Sequence, residues 1–232
     1  MAKIAVLIVG EYRTFAHCRK TQQFLDQPDV DVYLHTWNIT NMKNPVRAHT
    51  PGWSEYVPEN RVITIEEVKL AVGRPCFITL ATPPVPGSNP MIEGWLKGME
   101  MVKQTEREYD YMFVMRPDLF FQPGAFIIPD YFPLYKNSIG TNLPSEEDPT
   151  CLDDTCFFST YENIQKIITP ALRDIPWLGH HQWHEHITSK VGLGLTRLPI
   201  SSYSVIARNP INDNMTWDEV NENWLRWYEH GK

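Results

Sequence analysis

The sequence predicts an α/β fold: one domain with a mostly parallel central sheet and a small mixed C-terminal part. Three observations carry this. Ile4 to Val9 (IAVLIV) is an unbroken aliphatic run of the kind buried on both faces of a parallel sheet. A helix-compatible segment, Thr14 to Asp26, then leads to a second apolar run, Val30 to Leu34 (VDVYL), completing a strand–helix–strand unit. Further on, the longest helical pattern, Met91 to Arg107, feeds directly into the apolar run of YDYMFVM (residues 109–115).

Along the chain, Gly10 ends the first strand. The polar, proline-containing stretch from Asn38 to Asn60 reads as an irregular excursion. Thr64-Ile-Glu-Glu67 is a capping box opening a short helix that ends near Gly73. Phe77 to Leu80 reads as a strand, and ATPPVPGSNP (81–90) as a proline-rich loop. In the long helix, Met91, Trp95, Met99 and Val102 fall three and four apart, a core-facing stripe, with Gly94 and Gly98 thinning a neighbouring face for close approach. Ser159-Thr-Tyr-Glu162 and Thr216-Trp-Asp-Glu219 are two more capping boxes. Leu195 to Leu198 and Tyr203 to Ala207 read as short strands. There is no internal repeat and no evident linker, so residues 1–232 are expected to form one domain, with a ligand-binding part over about 1–120 and a second part over about 121–232.

Composition narrows the function. A formal charge of −7 without a basic stripe argues against nucleic acid as a partner. The opening apolar run is too short for a secretory signal or a membrane span. Cys18, Cys76, Cys151 and Cys156 show neither a CxxC pair nor zinc spacing. A soluble, reduced, cytoplasmic protein is the expectation.

Ligands of open parallel sheets sit beyond the carboxyl ends of the strands. Three such ends stand out: Gly10-Glu-Tyr-Arg13, His35-Thr-Trp37 and Arg116-Pro-Asp118. Arg13 and Arg116 suit phosphate oxygens through forked hydrogen bonds. Tyr12 suits a planar base, and Asp118 a hard divalent cation bridging a diphosphate. The plainer alternative is that Arg116 and Asp118 simply pair with each other at the sheet edge. In Gly179-His-His-Gln-Trp-His-Glu-His186, His180 and His184 have helical i, i+4 spacing, but HExxH order is absent, which argues against zinc.

KIAVLIVGEYRTF, DVDVYLHTWN, YDYMFVMRPDLFF and DDTCFFST, taken in order, resemble a group of glycosyltransferases of the GT-A fold found in bacterial capsule and lipopolysaccharide gene sets and in viruses. The resemblance spans much of residues 3–160 and weakens beyond. It implies transfer of a sugar from a nucleotide-sugar, by default a UDP-sugar, to a hydroxyl acceptor. It further implies that Val9, Gly10, Tyr12, Arg13 and Thr36 lie around the nucleotide, and that Arg116-Pro117-Asp118 stands where relatives carry Asp-x-Asp. Asp118 would then hold Mn²⁺ or Mg²⁺, with His186 as a further ligand; the arginine in place of the first aspartate departs from the pattern. Asp153 and Asp154 would approach the sugar, and Glu185 would take the acceptor proton. The alternatives are a non-catalytic nucleotide- or sugar-binding module of the same fold, a Rossmann methyltransferase or dehydrogenase, disfavoured by the missing GxGxxG loop, and a hydrolase with a metal at the histidine cluster.

Overall fold

The structure, a computed structural model, describes residues 2–12, 15–39, 62–84, 88–122, 124–141, 155–175, 179–200 and 204–206, with residues 216, 218, 219 and 222. Its strands are β1 (Ile4–Gly10), β2 (Val30–Trp37), β3 (Phe77–Ala81), β4 (Tyr111–Met115), β5 (Leu119–Phe121), β6 (Ser138–Thr141), β7 (Cys156–Thr160), β8 (Gly194–Arg197) and β9 (Ser204–Ile206). Seven of them form one sheet in the order β3-β2-β1-β4-β7-β6-β8, and β5 pairs with β9. The pairs β1–β2, β1–β4, β2–β3 and β6–β8 are parallel; β7 runs antiparallel to both β4 and β6. The expected α/β class with a mostly parallel sheet is the observed one.

β1 shows why this sheet is two-sided. Ile4, Val6 and Ile8 enter one core layer with Phe15, Phe24, Val68 and Val72; Ala5, Leu7 and Val9 enter the other with Trp95, Met99 and Val102. The second layer is closed by α3 (Pro90–Gln104), whose N-cap Asn89 accepts from the amides of Met91 and Ile92. Gly94 and Gly98 let α3 lie directly on β1: a Cβ at Gly94 would sit 2.6 Å from Val9 Cγ1, and one at Gly98 2.9 Å from both Leu7 Cδ atoms. The stripe reading of this helix therefore holds as core packing. The first layer is covered by α1 (Phe15–Cys18) and α2 (Ile65–Val72), the latter capped by Thr64 and ended by Gly73 at φ 72°.

Two sequence expectations need correction. The segment 14–26 is not one helix: α1 gives way to two 3₁₀ turns, Arg19–Thr21 and Gln23–Asp26. The Thr21 hydroxyl donates to Cys18 O and the Gln22 amide donates to Leu119 O, so local and tertiary polar bonds win over continued helix. The cap of α4 (Tyr161–Ile167) is Thr160, not Ser159. Thr160 Oγ1 accepts from Asn163 N, whereas Ser159 belongs to β7 and donates to Ser138 O. The Thr216–Glu219 box forms as expected.

At the amino ends of β2 and β4 a closed polar network ties the sheet. Tyr109 Oη donates to Asp31 at 2.7 Å, Arg107 donates to the same carboxylate at 2.8 Å, and the Tyr33 and Tyr109 hydroxyls meet at 2.7 Å. Hydrogen bonds from Tyr109 and Arg107 hold the Asp31 carboxyl below its ordinary range despite burial, which opposes them as the largest influence. Among the described residues no helix is long and apolar enough to cross a membrane.

Candidate functional site at the carboxyl ends of the strands

β1, β2 and β4 are adjacent and parallel, so Gly10, Trp37 and Met115 finish on one edge of the sheet. Gly10 is paired with Thr36. Its φ of +138° is open to glycine and strained for other residues, and a Cβ there would lie 3.1 Å from Pro117 Cδ. The turn after β1 thus packs on the turn after β4. Proline holds that second turn, and the Arg116 amide anchors it by donating to Thr155 O at 3.0 Å.

Beyond Pro117 the chain closes on itself electrostatically. Arg116 Nε donates to Asp118 Oδ1 at 2.8 Å and an Nη donates to Oδ2 at 2.7 Å. The Asp118 side chain is 2% exposed and that of Arg116 27%, so the carboxylate is the inner member and the guanidinium faces solvent. β5 follows at once, and its place is set by Thr21 Oγ1, which accepts from Phe121 N, and by the Gln22 bond to Leu119 O.

The end of β2 has a different character. His35 and Thr36 are each 1% exposed, and among the described residues neither the imidazole nitrogens nor the Thr36 hydroxyl has a hydrogen-bond partner; the same is true of Asn38 Oδ1. Leaving such groups unbonded in the interior costs roughly 1–3 kcal/mol each. Burial, helped by the Lys97 charge, pushes the His35 pKa down to about 4. Lys97 itself stands 5.9 Å from the centroid of Trp37.

The structure brings some of the expected residues together and separates others. Gly10, Thr36, Arg116 and Asp118 share the edge. Val9 pairs with His35 and is core. Tyr12 does not offer an open face to a base: it is 1% exposed and packs on Phe15 at 5.6 Å. Aromatic side chains bury a large apolar area, and here the core takes it. His186 also has another role, stacked on Trp183 at 5.9 Å with Nε2 donating to Ile167 O at 3.0 Å. Glu185 is exposed at the end of α5 (His180–Glu185). Arg13, Asp153 and Asp154 lie outside the described residues.

A divalent cation at Asp118 meets a poor fit. Both carboxylate oxygens already accept from a guanidinium, and adding a dication beside that cation is repulsive. Among the described residues no three His, Cys, Asp or Glu side chains converge on a point, and the nitrogen of His186 nearest a partner is spent on a carbonyl. Sequence reasoning did not foresee Asn38, nor the Glu93–Arg173 pair at 2.6 and 2.8 Å that ties α3 to the 170–174 turn. The one available signal was that HTWN ends an otherwise apolar strand on polar residues.

No family model matches the chain, and no curated protein matches it. Among solved structures it is similar to a nucleoside-diphosphate-sugar pyrophosphorylase from Vibrio cholerae RC9, with a TM-score of 0.44 and 12% identity over 96% of this chain and 99% of that one. It is also similar to the glycosyltransferase GlyE of Streptococcus pneumoniae TIGR4, with a TM-score of 0.44 and 9% identity over 85% of this chain and 45% of that one. The apo form of GlyE gives a TM-score of 0.42 at 8% identity. Likenesses this remote carry no argument, and the fold class rests on the strand order itself.

Proposed function

We propose that this protein is a glycosyltransferase that moves a sugar from a nucleotide-sugar, by default a UDP-sugar, to a hydroxyl acceptor. One observation carries the reading: the Gly10–Pro117 contact joins the ends of β1 and β4 beside the orphaned Thr36 hydroxyl, giving one edge a glycine turn, an outward guanidinium and unsatisfied buried polarity. Open parallel sheets bind nucleotides at such edges.

The chemistry asked of these residues is modest. The acceptor oxygen bonds to the anomeric carbon as the bond from that carbon to the distal phosphate breaks. The bonding pair stays on the departing diphosphate, and the hydroxyl proton passes to a base. Arg116, with Arg13, answers the charge gathering on the diphosphate. Glu185, exposed at the end of α5, is the residue we assign as base in an inverting reaction, and Asp154 as a hydrogen-bond partner of the sugar hydroxyls.

The test is a panel of UDP- and GDP-sugars, read by thermal shift and by release of nucleoside diphosphate. Stabilisation by UDP, with turnover that falls at least about 100-fold in Glu185→Gln while binding persists, is the expected result. Binding without hydrolysis or transfer to any acceptor would instead favour a non-catalytic module of the same fold. Failure of every nucleotide to bind would remove the reading.

A further inference from the structure

The seven-stranded sheet ends in β3 on one side and β8 on the other, and the two ends are built differently. β8, Gly194-Leu-Thr-Arg197, carries a glycine and an exposed arginine, features that discourage the addition of another strand. β3, Phe77-Ile-Thr-Leu-Ala81, has no charge, proline or glycine, its register on β2 is unbroken by a bulge, and all five residues are only half-buried. Among the described residues β2 is its sole strand neighbour. We propose that this edge is a dimer interface: β3 pairs antiparallel with β3 of a second copy of this chain, about a two-fold axis at Thr79.

The backbone dictates the register. Asn38 N donates to Ala81 O at 2.9 Å, so the main-chain groups of Ala81 are turned toward β2. Such groups alternate in direction along a strand, which turns Phe77 and Thr79 the same way and leaves the N–H and C=O of Ile78 and Leu80 on the outer edge. Those four groups are self-complementary. In an antiparallel pair centred on Thr79, Ile78 stands opposite the partner's Leu80, and Leu80 opposite the partner's Ile78. Each of these meetings exchanges two N–H···O bonds. Thr79 then faces the partner's Thr79 as a non-hydrogen-bonded pair with Cα atoms about 4.5 Å apart, a favourable cross-strand combination. No residue of the strand is charged, so nothing repels across the axis. The Arg107 guanidinium lies at the end of the strand, 5.0 Å from the centroid of the Phe77 ring. The β2–β3 crossover adds exposed apolar side chains at Ile39, Val62, Ile65 and Leu70, the last 84% exposed. A second copy brings an identical apolar border to the contact, which a lone peptide strand lacks, and this selects the copy as the occupant. The paired strands run in opposite directions, so the carboxyl-end edges of the two sheets point apart and stay open. The dimer is therefore independent of the reaction proposed above.

The experiment is sedimentation equilibrium of the full chain, with thermal melts alongside. Wild type is expected at twice the 27.0 kDa chain mass. Thr79→Lys sets two like charges opposite each other and should give the single-chain mass with a cooperative melt. Ile78→Pro removes an outward N–H and none of the ladder to β2, so it should give the monomer as well. Thr79→Cys tests the register. Mild oxidation should link two copies through residue 79, because the paired Cα atoms fall within disulfide reach, whereas wild type, with its own cysteines, should not link. Should Thr79→Lys fail to fold, Ile78→Pro and the Thr79→Cys link decide the matter. A wild type that stays monomeric at about 100 µM would overturn the inference and leave the edge to a different strand. So would a dimer that persists in both Thr79→Lys and Ile78→Pro and does not link through residue 79, since it would use another surface. Assemblies larger than two would overturn it too, because a two-fold pairing of one edge closes at the dimer.

Discussion

Acidification should destabilise this protein through a single buried imidazole. His35 has its ring beneath α3, on the face it shares with Val9 and Trp37, and neither ring nitrogen has a partner among the described residues. Its folded-state pKa is about 4 against an ordinary 6.5. The unfolded chain therefore takes up the proton first. The contribution of neutral His35 is complete above the ordinary value, falls as pH drops through the interval between 6.5 and about 4, and is constant below it. Linkage over that shift gives a loss of about 2 kcal/mol between about pH 7.5 and about pH 5, approaching roughly 3.4 kcal/mol at the acid limit. In a chain of this length such a loss lowers Tm by about 4–8 °C. Burial is the larger cause of that shift, and the Lys97 charge facing the ring is the smaller one. The measurement is urea unfolding across this pH range for wild type and His35→Leu, a swap that removes both unbonded nitrogens. The variant should match or exceed wild-type stability at neutral pH and lose about 2 kcal/mol less on acidification. Equal losses in the two proteins would refute the neutral, buried imidazole.

Other substitutions test the packing and the capping. Gly94→Ala gains helix propensity of about 1 kcal/mol but forces a Cβ to 2.6 Å from Val9 Cγ1. Overpacking of about 1–3 kcal/mol should win, giving net destabilisation in urea melts, and a more stable variant would contradict the close approach of α3. Thr160→Ala should cost about 1 kcal/mol by removing the cap on Asn163 N, read by thermal or chemical unfolding. Were Thr160→Ala silent, the cap assignment would be wrong.

The parts of the molecule legible in the sequence are those where one signal dominates. The Ile4–Val9 run is buried whichever face it shows, so its strand needed no tertiary knowledge. The stripe and glycines of α3 were readable because 3.6-residue spacing and small side chains point to the same packing. Legibility fails where long-range bonds overrule local preference. Gln22 and Thr21 are adequate helix residues, but their side chains bond to Leu119 and Phe121, nearly a hundred positions away, and the helix breaks. Ser159 satisfies the capping-box pattern one residue early, and only the register of β7 on β4 moves the cap to Thr160. In the site, strand order was enough to gather Gly10, Thr36 and Arg116 on one edge. Burial could not be read: Tyr12 and His186 carry suitable chemistry in sequence and spend it inside the core.

The two orphaned side chains at the end of β2 cannot have one explanation. Consecutive strand residues point to opposite faces. His35 lies toward α3 with Trp37; Thr36 shares the face of Leu34, and its register partner is Gly10, where Pro117 arrives. A ligand at the Gly10–Pro117 junction could therefore satisfy Thr36 and leave His35 untouched. Thr36→Val separates these roles. Replacing the unbonded hydroxyl by a methyl of similar shape should stabilise the free protein by about 1 kcal/mol, because a desolvated, unsatisfied group is removed. The same change should weaken UDP binding several-fold, since the methyl cannot hydrogen-bond the nucleotide. Stability and affinity moving in opposite directions is the signature of a polar group held in reserve for a ligand. If Thr36→Val instead lowers stability and leaves affinity unchanged, the hydroxyl serves the fold, and the edge of β2 loses its claim to the site.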